Sequence, residues 1–113
     1  MAAISNLYID AGSLFSVIVT VKNSDQTPMN LTGYTIAAQI RKSYGSTTAY
    51  NFNASVFDPL TGKIRLQLTA DQSSAIKPGR YLYDIEITST NNPGQKTRVV
   101  EGLVIITPEI TKV

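Results

Sequence analysis

The sequence predicts an all-β fold: an antiparallel sandwich of about seven strands with one short helical turn. Three observations point to it. Most of the chain alternates apolar and polar residues with period two. The connectors between the alternating runs are short and rich in Gly, Pro, Asn and Asp. Only one stretch, around Ala70–Ile76, breaks the period. Period-two runs rich in Val, Ile, Tyr and Thr are half-buried strands. Strands at short, regular spacing favour a sandwich over alternating strands and helices.

The runs follow in order. "NLYI" near the start is the first. "LFSVIVTVK" (Leu14–Lys22) is strand-like and apolar on both faces around Ile18 and Val19. "YTIAAQIRK" (Tyr34–Lys42) puts Tyr34, Ile36, Ala38 and Ile40 on one face. "AYNFNASVF" (Ala49–Phe57) alternates through Tyr50, Phe52, Ala54 and Val56. In "KIRLQLT" (Lys63–Thr69), Ile64, Leu66 and Leu68 point one way, and Lys63, Arg65 and Gln67 the other. "RYLYDIEIT" (Arg80–Thr88) sends Tyr81, Tyr83, Ile85 and Ile87 inward. "KTRVVEGLVIIT" (Lys96–Thr107) is the last run. The expected core is Val17, Val19, Ile36, Ile40, Ile64, Leu66, Leu68, Tyr81, Tyr83 and Ile85.

The connectors carry turn chemistry: "NSDQTP" (Asn23–Pro28), "LTG" (Leu31–Gly33), "DPLTG" (Asp58–Gly62) and "NNPG" (Asn91–Gly94). The segment after Thr69 has its own signature. Thr69 and Gln72 match a capping box, Asp71 complements the positive helix end, and Pro78–Gly79 stop the turn. So short a helix serves to carry the chain from one sheet to the other, with Ala75 and Ile76 plugging the open end. A short turn followed by a tyrosine strand is a corner of immunoglobulin-like folds, and either Tyr81 or Tyr83 fits the tyrosine-corner role. Residues 1–113 read as one immunoglobulin-like domain.

Composition narrows the function. The chain of 113 residues is 42% hydrophobic and 16% charged, which suits a packed core rather than disorder. It has no Cys, as expected of a fold made in a reducing cytoplasm. The start "MAAISNLYID" has neither the basic end nor the apolar run of a signal peptide. The longest apolar run, "LVIIT", suits a buried strand, not a membrane span. A net charge of +2 is too slight to argue for nucleic acid.

Candidate chemistry is sparse. No His is present, which removes most general-base and metal-ligand schemes. Asp84 and Glu86 share a strand face, but a glycosidase pair needs a cleft. "DPLTG" lacks the dense acidic set that calcium takes and reads as a turn. Lys63 with Arg65, Lys96 with Arg98, and Arg41 with Lys42 could form a basic stripe. The outer-face acids Asp84, Glu86 and Glu101 instead favour cross-strand ion pairs. The expectation is a protein without catalytic residues, cofactor or metal.

Four segments together carry a resemblance: "YIDAGSLFSVIVTV", "NLTGYTIAAQIRKS", "GKIRLQLTADQSSAIKPGRYLYDIEIT" and "TRVVEGLVIITPEIT". Their order and spacing resemble an immunoglobulin-like module of tailed-bacteriophage virion proteins. The chain is similar to the N-terminal domain of upper baseplate proteins and to modules of tail and fibre proteins. The resemblance implies a non-enzymatic virion protein, made in the host cytoplasm. It would dock on the baseplate, tail or fibre in multiple copies, with other virion proteins as partners and neither nucleic acid nor membrane. The alternatives are a capsid decoration protein and, less favoured, a host-surface carbohydrate-binding module, against which the absence of Trp speaks. The two ends, "MAAISNLYI" and "TPEITKV", are expected to be edge strands and binding arms.

Overall fold

The computed structural model describes residues 3–108. Nine strand segments and one helix form two facing sheets, an immunoglobulin-like β-sandwich. The segments are β1 (Ala3–Ile4), β2 (Leu7–Asp10), β3 (Phe15–Thr20), β4 (Tyr34–Arg41), β5 (Ala49–Asn51), β6 (Asn53–Asp58), β7 (Lys63–Leu68), α1 (Ala70–Ser74), β8 (Gly79–Ser89) and β9 (Lys96–Thr107). Nine segments arise from seven runs because one run is interrupted and the N-terminal strand, itself interrupted, starts earlier than "NLYI".

The first interruption is at Phe52. β5 pairs with β4, β6 pairs with β7, and the buried Phe52 ring sits at the step between the sheets. Its N–H is satisfied by Ala38 O at 3.0 Å. The second is at Ser5–Asn6, between β1 and β2. Both segments pair with β9 in one register, Ala3 opposite Val100 and Leu7 opposite Val104.

The first sheet has the order β1–β9–β8–β4–β5, with β2 also on β9; the second is β3–β7–β6. Two expectations are corrected here. The sandwich is not wholly antiparallel, because β1 and β2 run parallel to β9. And the last strand is not an edge: β9 lies between the N-terminal strands and β8. The edges are β1/β2 and β5 in one sheet, β3 and β6 in the other. Of the two expected arms, Met1, Ala2 and residues 109–113 lie outside the described residues.

The period-two faces close on one core. Ile40, Ile64, Leu66, Leu68, Tyr81, Tyr83 and Ile85 are buried as expected. Val17, Val19 and Ile36 are half-buried and packed against that core. β3 is not buried on both sides: Ile18 is 40% exposed on the outer face. Leu31, in a segment expected only to turn, is fully buried. "DPLTG" is a turn whose carbonyls hold the segments just outside β3 and β4: Pro59 O accepts from Leu31 N at 2.8 Å, and Gly62 O from Val21 N at 2.7 Å.

The helical corner forms as its sequence dictates. Thr69 Oγ1 accepts from Gln72 N at 3.1 Å, and Gln72 Oε1 accepts from Thr69 N at 2.8 Å. α1 joins β7 of the second sheet to β8 of the first. Ile76 plugs the end, but Ala75 is exposed. Ser73, at 0% exposure, takes the other inward position. Its hydroxyl accepts from Gly12 N at 3.0 Å and lies 2.9 Å from Ser13 O, tying the corner to the β2–β3 link. Of the two tyrosines, Tyr81 makes the corner, its hydroxyl donating to Lys77 O four residues upstream. Tyr83 donates instead to Ser5 O at 2.6 Å, across the sheet from the N-terminal strand.

Candidate interaction surface

The alternation that buries one face of β8 and β9 exposes the other. On β8 the outward residues include Leu82, Asp84 and Glu86; on β9 they include Glu101, Leu103 and Ile105. The register sets Leu82 beside Leu103 and Asp84 beside Glu101. A bulge opposite Ile85–Glu86 inserts Val99 and shifts Arg98 to the partner position of Glu86. From there Arg98 reaches both flanking acids. Its Nε lies 3.1 Å from Asp84 Oδ2 and its Nη1 3.1 Å from Glu101 Oε2.

These contacts hold the Arg98 guanidinium even more firmly protonated than usual, first through the hydrogen bond it donates to Glu101 and then through the charge of Asp84. The cluster is solvent-exposed, so its value is orientation more than stability. Of the three acids expected to pair across strands, Asp84 does so; Glu101 meets Arg98 along its own strand, and Glu86 makes no ion pair among the described residues. Asp84 and Glu101 are therefore occupied as acceptors. Among the described residues, no group of three or more His, Cys, Asp or Glu is placed to hold a metal ion.

Beside the ionic cluster lies an open groove of about 540 Å³. Its apolar wall is Ile4, Tyr44, Leu82 and Leu103. Ile4 is 76% exposed and Tyr44 78%. Arg41 fixes the rim that bears Tyr44: its Nη1 donates to Ser46 O at 2.6 Å and its Nη2 to Gln39 Oε1 at 3.2 Å. The opposite rim is the N-terminal strand, which Tyr83 and the Leu103 N–H to Asn6 Oδ1 bond of 3.0 Å hold down. An exposed apolar centre with a charged border has the composition of a protein interface.

The basic residues do not form a stripe. Lys96 and Arg98 lie on the first sheet, Lys63 and Arg65 on the second, so the two pairs belong to different layers. The Arg65 guanidinium covers the Phe57 ring at 4.6 Å, and Lys63 is opposite Asp58. Lys42 Nζ sits 4.8 Å over the Tyr81 ring and donates to Arg80 O at 3.1 Å. Four of the six tyrosines are buried or half-buried; Tyr8 and Tyr44 are exposed. Among the described residues, no helix is long and apolar enough to cross a membrane.

The groove itself was not foreseen from sequence. Asp84, Glu101 and Arg98 were legible as outer-face charges, but Ile4 and Tyr44 join them only through strand order and the β4–β5 turn. A tyrosine between Ser and Gly in "KSYGST" is the one local sign: a large ring in a turn has no core to enter.

No protein-family model matches the chain, and no curated protein matches it in sequence. Solved structures do match in fold. The chain is similar to the N-terminal domain of ORF48 from phage TP901-1, with a TM-score of 0.58 at 10% identity, over 90% of this chain and 84% of that one. It is also similar to the major subunit of aggregative adherence fimbriae type I from Escherichia coli, with a TM-score of 0.45 at 12% identity, over 94% and 91% of the two chains. A family 123 glycoside hydrolase from Clostridium perfringens aligns at a TM-score of 0.43 and 10% identity, over 98% of this chain but 24% of the hydrolase. The likeness to the phage domain covers most of both chains, and it is a likeness of fold.

Proposed function

We propose that this chain is a non-enzymatic structural protein of a tailed-bacteriophage particle, docking on the baseplate, tail or fibre through the outer face of its first sheet. The carrying observation is an agreement between motif order and fold. The ordered segments from "YIDAGSLF" to "RVVEGLV" resemble modules of phage virion proteins, and the fold aligns along most of its length with a phage domain. The surface supports the same reading. Its best-developed feature is a shallow groove with an aliphatic and aromatic wall beside a fixed ionic cluster, suited to a protein surface. Its partners are other virion proteins, met in multiple copies.

The test is the composition of purified particles. Mass spectrometry should find the chain in virions, and immunogold labelling should place it on the tail. Labelling over the head would favour the capsid-decoration reading, and absence from particles would remove both. Leu103→Glu puts a charge in the groove wall without touching the core. It should leave a folded protein that no longer enters particles; normal incorporation would mean that docking uses another face.

A further inference from the structure

The two sheets of the sandwich have open edges, and three of the four are blunted in ways that discourage further pairing. β5 has only three residues. β6 is bulged near Phe57 and ends in Asp58. The β1/β2 edge is interrupted at Ser5–Asn6. β3 has none of these devices. Phe15–Thr20 carries no charge, no Pro and no Gly, and pairs with β7 in unbroken register. Among the described residues, β7 is its sole partner strand.

The direction of its free backbone groups follows from the pairing. Val21 N donates to Gly62 O, on the β7 side. Hydrogen-bonding groups alternate sides along a strand. Those of Phe15, Val17 and Val19 therefore face β7, and those of Ser16, Ile18 and Thr20 face outward. The same three side chains are the exposed ones, and Val17 and Val19 are only half-buried.

We propose that β3 is a self-association edge: two copies of this chain pair their β3 strands antiparallel about a two-fold axis through Ile18, joining their β3–β7–β6 sheets into one continuous sheet. The occupant is named by the strand itself, because Ser-Val-Ile-Val-Thr has the same character read in either direction. In the register centred on Ile18, Ser16 meets Thr20 of the other copy and Ile18 meets Ile18. Every outward N–H then finds an outward C=O. On the outer face, hydroxyl opposes hydroxyl and Ile opposes Ile. On the inner face Val17 opposes Val19, both β-branched. A two-fold contact needs one patch that complements itself, with no like charges opposed. β3 meets both conditions. The proposal stands independently of the phage reading.

The test is sedimentation analysis of the whole protein over a range of concentrations. The parent should form dimers as concentration rises. Ile18→Lys and Ile18→Asp each oppose like charges at the axis, and each should raise the dimer dissociation constant about ten-fold or more. Mixed in equal amounts, the two should restore dimerisation. Thr20→Pro, which removes an outward N–H and leaves the β7 bonds intact, should also weaken the dimer, and it covers the case in which a charged variant fails to fold. A parent that stays monomeric at about 1 mM, or variants that dimerise as well as the parent, would overturn the proposal. So would a Lys and Asp mixture that remains monomeric. Hydrogen-exchange protection of the Ser16, Ile18 and Thr20 amides that does not vary with concentration would also overturn it, by placing a segment of the same chain on the edge.

Discussion

Replacing Gly102 with Ala tests how the N-terminal strand is held. Gly102 lies on β9 where the chain passes Ser5, and a Cβ built there meets Ser5 O at 2.1 Å and Ser5 C at 2.8 Å. Carbon–oxygen contacts sit near ~3.3 Å, so Ser5 must retreat by about 1 Å. Three hydrogen bonds depend on its position. Ser5 N donates to Glu101 O at 2.9 Å, Tyr83 Oη to Ser5 O at 2.6 Å, and Leu103 N to Asn6 Oδ1 at 3.0 Å. At about 1 kcal/mol net for each, their loss costs about 3 kcal/mol. That is a large share of the ~5–15 kcal/mol that stabilises a domain. At roughly 4 °C per kcal/mol for this size, the melting temperature should fall by roughly 10–15 °C. Tyr83→Phe removes one of the same bonds and should cost about 1–2 kcal/mol. Because both changes act on Ser5, the double variant should be less destabilised than the sum, by at least about 0.5 kcal/mol. Calorimetry of the four proteins gives the answer. A Gly102→Ala protein that melts within about 2 °C of the parent, or strict additivity, would refute the claim that Ser5 is clamped between Gly102 and Tyr83.

Three further outcomes follow from the packing. Leu66→Ala opens a cavity at a fully buried centre of β7 and should cost about 2–5 kcal/mol in urea unfolding, with an unchanged denaturant slope. Thr69→Ala removes the capping-box acceptor of Gln72 N and should cost about 1 kcal/mol by the same assay. Burial holds the Tyr83 phenol above its usual 10.0, so the folded state keeps a proton that the unfolded chain gives up first. This contribution is complete below pH 10.0 and is lost as pH rises through the folded value. Stability measured up to about pH 11 should therefore fall less steeply in Tyr83→Phe than in the parent.

Strand positions were legible because each run had to hide one face. "KIRLQLT" can bury Ile64, Leu66 and Leu68 only as a strand, and the structure buries all three. The capping box was equally local: four residues contain the whole argument. What could not be read locally was anything decided by a strand's neighbour. "AYNFNASVF" alternates without a break, yet Phe52 divides it between two sheets. The pattern records which side is buried, not which sheet supplies the cover. Ser73 is the most hidden hydroxyl of the corner, because Gly12 and Ser13 arrive from the β2–β3 link to bond it.

The same limit explains the candidate surfaces. The outward charges of β8 and β9 were visible in sequence; Arg98 pairs across strands with Asp84, as such chemistry predicts, and along its own strand with Glu101. The groove needs Ile4 and Tyr44, which are brought to it from separate parts of the chain by strand order alone. Edge status is subtler still. The chain's last strand was expected to end in an edge, but parallel pairing by β1 and β2 makes β9 an interior strand. "LFSVIVTVK" read as a strand apolar on both faces around Ile18 and Val19. In the structure the inner face meets the core, while Ile18 remains exposed on an unblunted edge. An uncharged exposed strand is a liability for an isolated protein and a pairing surface for an assembled one. The residue that makes β3 apolar on its outer face is thus the one that marks it as a place where another copy can join.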